Sequence, residues 1–189
     1  MNVIPAGAEV SYTITYLEMT TRPVAAPVTL PPDVQLERAI NPPVWYFLAL
    51  YDAVGRDYEW QDRFDQAWAD PGTLQAFVRD PDVVIWTALK HGWPQGFFTL
   101  DWRQACTCDL AYFGLVPQAV GGGLGRPLLE TAIVTGWSGA GVARMTVNTC
   151  TLDHPRALGL YQRVGFNPVR TETRTRHLTH DRDPSIQPV

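Results

Sequence analysis

The chain has 189 residues and a formal net charge of −4; 46% of its residues are apolar and 18% are charged. This length and composition predict one globular domain, 1–189, that is large enough to bury a core. No basic stripe is visible, which argues against nucleic acid as a partner, and no apolar stretch approaches the roughly 18 residues that cross a membrane. The first ten residues lack the basic and apolar regions of a secretion signal, so a cytoplasmic location is expected.

The cysteines do not predict a disulfide framework or a metal site. There are three, Cys106, Cys108 and Cys150, and an odd number without a secretion signal argues against a set of disulfides. Cys106 and Cys108 could join one of the four histidines around a metal, but a C-x-C spacing differs from the C-x2-C of zinc knuckles and no second pair follows. We therefore expect ordinary thiols and no metal.

The first half of the chain predicts one or two strands followed by helices. Residues 11–19 are rich in β-branched and aromatic side chains, as strands are. Pro42-Pro43 is typical of a helix start and Gly55 of a helix stop. The expected elements are a strand at 11–19, a proline-rich connector at 21–33 and a strand or turn at 34–40. A helix that opens at 42–43, includes 44–51 and stops at Gly55 follows, then helices at 59–68 and 73–79 with a turn at Asp70-Pro71-Gly72 between them.

The second half predicts a hairpin and then alternating strands and helices. A tight turn at 90–94 joins the first two of these strands. The expected elements are strands at 83–89, 95–102, 108–116, 143–150 and 168–176, helices at 124–137 and 155–164, and a frayed tail at about 178–189. Antiparallel strands followed by a strand–helix–strand–helix run predict an α/β domain of the α+β type, with a mixed sheet and helices on its faces.

The stretch 115–126 is the clearest local signal, because a strand runs into a glycine-rich loop and an apolar helix follows at once. Glycines let backbone N–H groups crowd around an anion, and a helix N-terminus adds about half a positive charge, so the loop is suited to a pyrophosphate. It lacks the lysine of a Walker loop and the spacing of a Rossmann fingerprint. The alternatives are a flexible turn and an unrelated nucleotide-phosphate binder.

Two motifs together resemble the GNAT superfamily of acyl-CoA N-acyltransferases. Gly123-Leu124-Gly125 matches the G-x-G of its [QR]-x-x-G-x-[GA] signature, and 157–166 looks like its A-x-x-L-Y-x-[KR]-x-G-F. Both stand in the right order and at the right spacing, and the resemblance covers roughly residues 80–170. Val120 replaces the Gln or Arg of the first motif, and His154 replaces an Asn that precedes the second.

The resemblance implies the GNAT fold, a mixed and mostly antiparallel central sheet splayed between the family's strands four and five, here 108–116 and 143–150. It implies acetyl-CoA as co-substrate, with the pantetheine arm pairing with backbone in the splay. Gly114 sits where the bulge that accompanies the splay would be expected. The residues expected to bind acetyl-CoA are Leu115, Val116, Val120, Gly121, Gly122, Gly123, Gly125 and Arg126.

The resemblance also implies the catalytic residues. Tyr161 matches the family's general-acid tyrosine near the CoA sulfur, and phenols and thiols have comparable reference pKa values, which suits proton transfer between them. Asp109 is the only carboxylate in 108–116, where many family members place a base that acts through water. Glu18 and Glu59 are weaker candidates for the base.

The expected function is transfer of an acetyl group from acetyl-CoA to a primary amine of a small molecule, peptide or protein, by direct attack in a ternary complex. The alternative is a catalytically inactive module that only binds acyl-CoA. Six tyrosines and tryptophans in 42–68 form either part of the core or an aromatic wall of the acceptor pocket, which would suit an apolar or aromatic amine. The family implies a monomer or a homodimer.

Overall fold

The computed structural model describes residues 3–24 and 29–183 and shows seven strands and five α-helices in them. The strands are β1 (Glu9–Met19), β2 (Val34–Arg38), β3 (Val83–Lys90), β4 (Trp93–Asp101), β5 (Thr107–Leu115), β6 (Arg144–Cys150) and β7 (Asn167–His177). The α-helices are α1 (Val44–Gly55), α2 (Asp62–Ala69), α3 (Pro71–Arg79), α4 (Gly125–Gly136) and α5 (Ala157–Arg163). None of these helices is long and apolar enough to cross a membrane.

The strands form one sheet in the order β2-β3-β4-β5-β6-β1-β7, in which only β5 and β6 run parallel. The predicted fold class, a mixed and mostly antiparallel sheet, is confirmed. The first strand lies between β6 and β7, five strand spacings from β2, or about 24 Å. The proline-rich connector at 21–33 links these two distant strands, and its residues 25–28 lie outside the described residues.

A gap opens between β5 and β6. The two strands pair at only three positions, Thr107 with Arg144, Cys108 with Met145 and Asp109 with Thr146, and then diverge. From Leu110 onward this edge of β5 has no partner strand in the described residues. The predicted splay between the strands at 108–116 and 143–150 is confirmed.

Helices cover both faces of the sheet because side chains on each strand alternate between the faces. Phe97 points to the core under α1 and α3, whereas its neighbour Phe98 points to the core under α4. The second core holds Leu128 and Leu129 of α4 and Met145 of β6, all fully buried. The gap between β5 and β6 therefore lies between two packed layers.

Three helix starts differ from the predictions for local reasons. Helix α2 begins at Asp62 because Glu59 has a left-handed backbone with φ of 62°. Helix α3 begins at Pro71 because the Asp70 carboxylate accepts hydrogen bonds from the next two free N–H groups, so the predicted turn at 70–72 is the start of that helix. Helix α5 begins at Ala157, after a turn.

The expectation of a frayed tail is wrong for residues 178–183. Leu178 and Arg182 are both only 3% exposed. Arg182 and Ile4 pair through two backbone hydrogen bonds of 2.9 and 2.8 Å, which tie this C-terminal segment to the start of the chain. Residues 184–189 lie outside the described residues.

Candidate active site

A cavity of about 620 Å³ lies at the gap between β5 and β6. Tyr112 and Asn148 line it from the α1 face of the sheet, and Phe113 and Val147 line it from the α4 face. The cavity, called the cleft below, is therefore open to both faces through the gap. A group entering from one face can meet a group bound on the other.

The glycine loop forms one mouth of the cleft. Gly121 and Gly123 have φ values of 87° and 82°, a left-handed backbone that favours glycine. Helix α4 follows without a side-chain cap or an acidic residue in its first turn. Within the described residues no acceptor bonds to the backbone N–H groups of Gly121, Gly123, Leu124, Gly125 and Arg126. This cluster of unpaired donors at a helix N-terminus is suited to an anionic phosphate group.

Most of the predicted acetyl-CoA residues meet at this mouth. Those that line the cleft are Leu115, Val120, Gly121, Gly123, Gly125 and Arg126. Val116 does not line the cleft: it is buried, its N–H donates to the Gln95 carbonyl and its carbonyl accepts from the Ala119 N–H. Gly122 donates to Ala119 and does not line the cleft.

Tyr161 of α5 lies in the wall of the cleft on the α4 face. Its ring is 6% exposed and packs against Phe113 and Phe166, with ring centroids 6.2 and 6.0 Å away. Its hydroxyl forms no hydrogen bond with any residue that the structure describes. Burial raises the pKa of Tyr161, and Asp153 and Asp109 add to the rise, so the phenol stays protonated.

Asp109 lies at the closed end of the gap and does not line the cleft with Tyr161. It lines a second cavity of about 450 Å³, which adjoins the cleft because Val147 and Asn148 line both. Its carboxylate accepts a hydrogen bond from the Thr146 hydroxyl. Burial raises the pKa of Asp109 above its ordinary value, against the lowering effect of Thr146.

The two weaker candidates for the base are engaged elsewhere. Glu18 lines the second cavity and lies 3.4 Å from Arg144. Glu59 is 4% exposed and lines the cleft, but its carboxylate accepts from the N–H and hydroxyl of Thr179, at 2.9 and 2.8 Å, and from His180 N–H at 3.4 Å. With these donors in place, Glu59 holds the C-terminal segment and is poorly placed to accept a proton from a substrate.

Residues 56–60, called the acceptor turn below, are held by neighbours that the sequence reading did not identify. Arg176 donates to the Glu59 carbonyl at 2.7 Å. Arg182 donates to the carbonyls of Asp57 and Leu152, at 3.2 and 2.7 Å. Trp60, within this turn, donates its indole N–H to Asp153 at 3.0 Å. These contacts join residues that are 30 to 125 positions apart, so no local sequence pattern signals them.

The expected bulge at Gly114 is wrong. Gly114 pairs in register with Phe97, and the irregularity in the β4–β5 pairing lies at Ala111. Glycine is required at 114 for another reason, because a Cβ there would lie 2.2 Å from the Val54 side chain of α1. Gly114 thus lets α1 approach the sheet beside the cleft.

His154, which replaces the family's Asn, lines the cleft as a neutral side chain. Its Nδ1 accepts from the Arg156 N–H at 3.1 Å, which leaves the ring proton on Nε2. Burial lowers the pKa of His154, and the charge of Arg156 adds to this effect. Within the described residues no group of three or more His, Cys, Asp or Glu side chains is arranged to hold a metal.

The sequence of this chain matches the family model of the acetyltransferase (GNAT) family over residues 46–166. The match covers more than half of the chain, includes both motifs and agrees with the splayed sheet. The chain therefore belongs to the GNAT family, whose members are acyltransferases that use acyl-CoA. No curated protein matches the chain significantly.

Solved structures share the fold at low sequence identity. A GCN5-related N-acetyltransferase from Sphaerobacter thermophilus matches with a TM-score of 0.59 at 15% identity, over 98% of this chain and 56% of that one. A tandem GNAT protein from the clavulanic acid biosynthesis pathway gives 0.61 at 15%, over 87% and 53%. An IAA acetyltransferase from Bacillus cereus gives 0.52 at 21%, over 72% and 79%. This chain thus spans little more than half the length of the first two proteins, and the likeness shows the fold alone.

Proposed function

We propose that this protein transfers an acetyl group from acetyl-CoA to a primary amine, by direct attack within a ternary complex. The observation that carries the proposal is the cleft, which opens through the sheet. Unpaired backbone N–H groups suited to binding phosphate lie at one mouth, and the free hydroxyl of Tyr161 lies in the wall. A thioester lying in the gap would be reached by an amine from the α1 face.

The loop and its neighbours account for acetyl-CoA binding. The unpaired N–H groups at the start of α4 face the pyrophosphate, and Val120 adds no side-chain donor there. Arg156 and Arg163 line the cleft without an ion-pair partner in the described residues and are free to meet phosphate oxygens. Beyond Asp109, the unpaired edge of β5 offers backbone groups to the amide-bearing pantetheine arm, and an N–H there can stabilise the thioester oxygen.

The reaction needs one bond formed, one bond broken and two protons moved. The neutral amine nitrogen attacks the thioester carbonyl carbon, the C–N bond forms and the C–S bond breaks. The departing CoA thiolate takes a proton from the Tyr161 hydroxyl, and the phenolate is reprotonated from solvent. The nitrogen loses its extra proton to a base, so the products are an acetamide and free CoA thiol.

Asp109 is the carboxylate that we propose as this base, acting through water across the adjoining cavity. Its raised pKa makes it a stronger base than an exposed carboxylate, and Thr146 is the only described residue that donates to it. Glu59 lies nearer to the cleft, but its oxygens are occupied.

The first test is thermal unfolding with and without acetyl-CoA, with ATP and NAD as controls. At 100 times its dissociation constant a ligand stabilises by about 2.7 kcal/mol, which corresponds to roughly 5–11 °C for a domain of this size. A shift with acetyl-CoA alone, followed by release of CoA thiol with an amine panel, supports the enzyme. A shift without thiol release supports the inactive binding module, and no shift contradicts both.

A further inference from the structure

Three aromatic side chains form a continuous surface on the α1 face of the cleft. This surface, the aromatic wall, consists of Tyr51, Trp60 and Tyr112. The ring centroid of Tyr51 lies 5.3 Å from that of Trp60 and 5.4 Å from that of Tyr112. The ring centroids of Trp60 and Tyr112 are 5.9 Å apart. Ile14 and Val54 extend it with aliphatic side chains. Such a surface favours a flat ring and also attracts a cation.

The acidic side chains beside the aromatic wall leave one carboxylate without a partner. Glu59 accepts three hydrogen bonds from the C-terminal segment, and Asp153 accepts three from the side chains of Trp60 and Thr149 and the N–H of Cys150. Asp62 lines the cleft and forms no hydrogen bond or ion pair in the described part of the chain. It lies close to the wall, because its charge acts on the phenol of Tyr51.

The basic side chains on β7 beside the wall are matched by acids. Arg174 pairs with Glu172 at 2.7 Å. Arg176 donates to the Glu59 carbonyl and lies 4.0 Å from the Glu59 carboxylate. Among the described carboxylates that line this end of the cleft, Asp62 is the one without a hydrogen bond or ion pair. Arg63, its neighbour on α2, donates to the Tyr112 hydroxyl and to Gln66 and does not line the cleft.

We infer that the acceptor is a monoamine with a flat aromatic body, an arylalkylamine in chemical class, whose ammonium group is attracted by Asp62 and whose ring stacks on the aromatic wall. This inference rests on the proposed acetyl transfer. The ammonium form is captured at the cleft, and it loses one proton to solvent before the neutral amine attacks.

Two other classes of amine fit this surface less well. A polyamine or aminosugar carries further ammonium groups, and these would find no second unpaired carboxylate among the described residues of this end of the cleft. An amino acid carries a carboxylate that Asp62 repels. Arg174 and Arg176 are already paired, and the unpaired Arg156 and Arg163 are those proposed above to meet the phosphates of acetyl-CoA. Each mismatch leaves a charge desolvated without a partner, which is the usual basis of discrimination.

The test compares matched amines on the unaltered protein, with CoA thiol release as the readout. Phenethylamine and tryptamine are compared with phenylalanine, which adds a carboxylate, with putrescine, which adds a second ammonium group, and with hexylamine, which lacks a ring. We expect kcat/KM to be at least about tenfold higher for the two arylalkylamines. Equal or better use of phenylalanine, putrescine or hexylamine would overturn the inference and leave the proposed acetyl transfer standing.

A binding measurement distinguishes failure of the proposed acetyl transfer from failure of the inferred acceptor class. If acetyl-CoA stabilises the protein but no amine releases thiol, the proposed reaction fails. Calorimetric titration of the same amines into the CoA-loaded protein then decides the inference. Tighter binding of phenethylamine than of putrescine, phenylalanine or hexylamine supports it, and equal or absent binding overturns it.

Variants on α2 provide matched controls. Asp62→Asn should raise KM for phenethylamine about tenfold with little change in acetyl-CoA affinity, whereas Asp65→Asn, on the same helix and outside the cleft, should change neither. Trp60→Leu should lower the preference for phenethylamine over hexylamine. Trp68→Leu, at an almost fully exposed position, is the matched control. Trp60 also packs on Gly55, so Asp62→Asn, an exposed change, decides the matter if Trp60→Leu does not fold. An unchanged KM in Asp62→Asn contradicts the inference.

Discussion

Arg182→Met is expected to weaken acceptor binding while leaving acetyl-CoA binding intact. Arg182 does not touch the glycine loop. It reaches the cleft only through the acceptor turn, where it bonds the Asp57 carbonyl, and through the Leu152 carbonyl next to Asp153. Trp60 belongs to the acceptor turn and donates its indole N–H to Asp153, so it is held from both sides. Loss of either support should let the aromatic wall move.

The size of the effect follows from the two carbonyl groups. A buried acceptor left without a donor costs about 1–3 kcal/mol, so two such carbonyls would give about 2–6 kcal/mol of unfolding free energy. The bond to the Asp57 carbonyl is only partly buried, so its share lies at the low end of that range. Methionine keeps the packing of the aliphatic stem, and removal of a buried guanidinium recovers its desolvation cost. Both effects place the expected loss of unfolding free energy near the lower limit of this range, at about 2–3 kcal/mol.

The assay combines urea unfolding, calorimetry with acetyl-CoA and steady-state kinetics with phenethylamine. We expect the acceptor KM to rise at least about fivefold with the acetyl-CoA dissociation constant unchanged. Arg182→Lys should recover part of the effect, and Arg79→Met, an exposed change on α3, serves as the control. Equal changes in both ligands, or lost stability with an unchanged acceptor KM, would refute a role for Arg182 in positioning the wall.

Three further predictions concern the proposed chemistry. Tyr161→Phe should lower turnover at least about tenfold with acetyl-CoA affinity nearly intact, as kinetics and calorimetry can show; unchanged turnover removes Tyr161 from the mechanism. Gly123→Asp should abolish acetyl-CoA binding in calorimetry, since it adds a carboxylate beside the pyrophosphate at a φ of 82°; retained affinity in a folded variant would place the phosphates elsewhere. Asp109 has a raised pKa when folded, so its contribution to stability is present below about pH 4 and is lost as the pH rises through that pKa. Asp109→Asn should therefore lower turnover yet leave the unfolding midpoint at pH 7 equal or higher, and a large loss of stability would make Asp109 purely structural.

The half of the site that we propose binds acetyl-CoA could be predicted from the sequence because it is local. Glycines with positive φ values, a strand before them and a helix after them lie within a dozen residues, and Tyr161 belongs to a motif of ten. Local backbone chemistry determines this geometry. Val116 lies one residue past the end of β5, where its N–H donates to the Gln95 carbonyl, and local sequence does not show this contact.

The acceptor half could not be read in the same way because it depends on contacts between distant segments. Glu59 and Thr179 are 120 residues apart, and Trp60 and Asp153 are 93 apart. The polar stretch after His177 has the composition of a loose tail, and only tertiary contacts make Arg182 a buried residue. Likewise, composition identifies 11–19 as a strand but does not place it between β6 and β7.

The choice between Glu59 and Asp109 as the base shows why position in the cleft is not sufficient. A base needs a free lone pair directed to the substrate or to a bridging water. Glu59 lines the cleft, but it has a left-handed backbone and three donors on its carboxylate. A residue in that conformation persists only where its surroundings hold it, so those donors are the reason that Glu59 is there. Asp109 has one described donor, is half-buried on an unstrained strand and adjoins the cleft through Asn148, and it is therefore the carboxylate with capacity left for a proton.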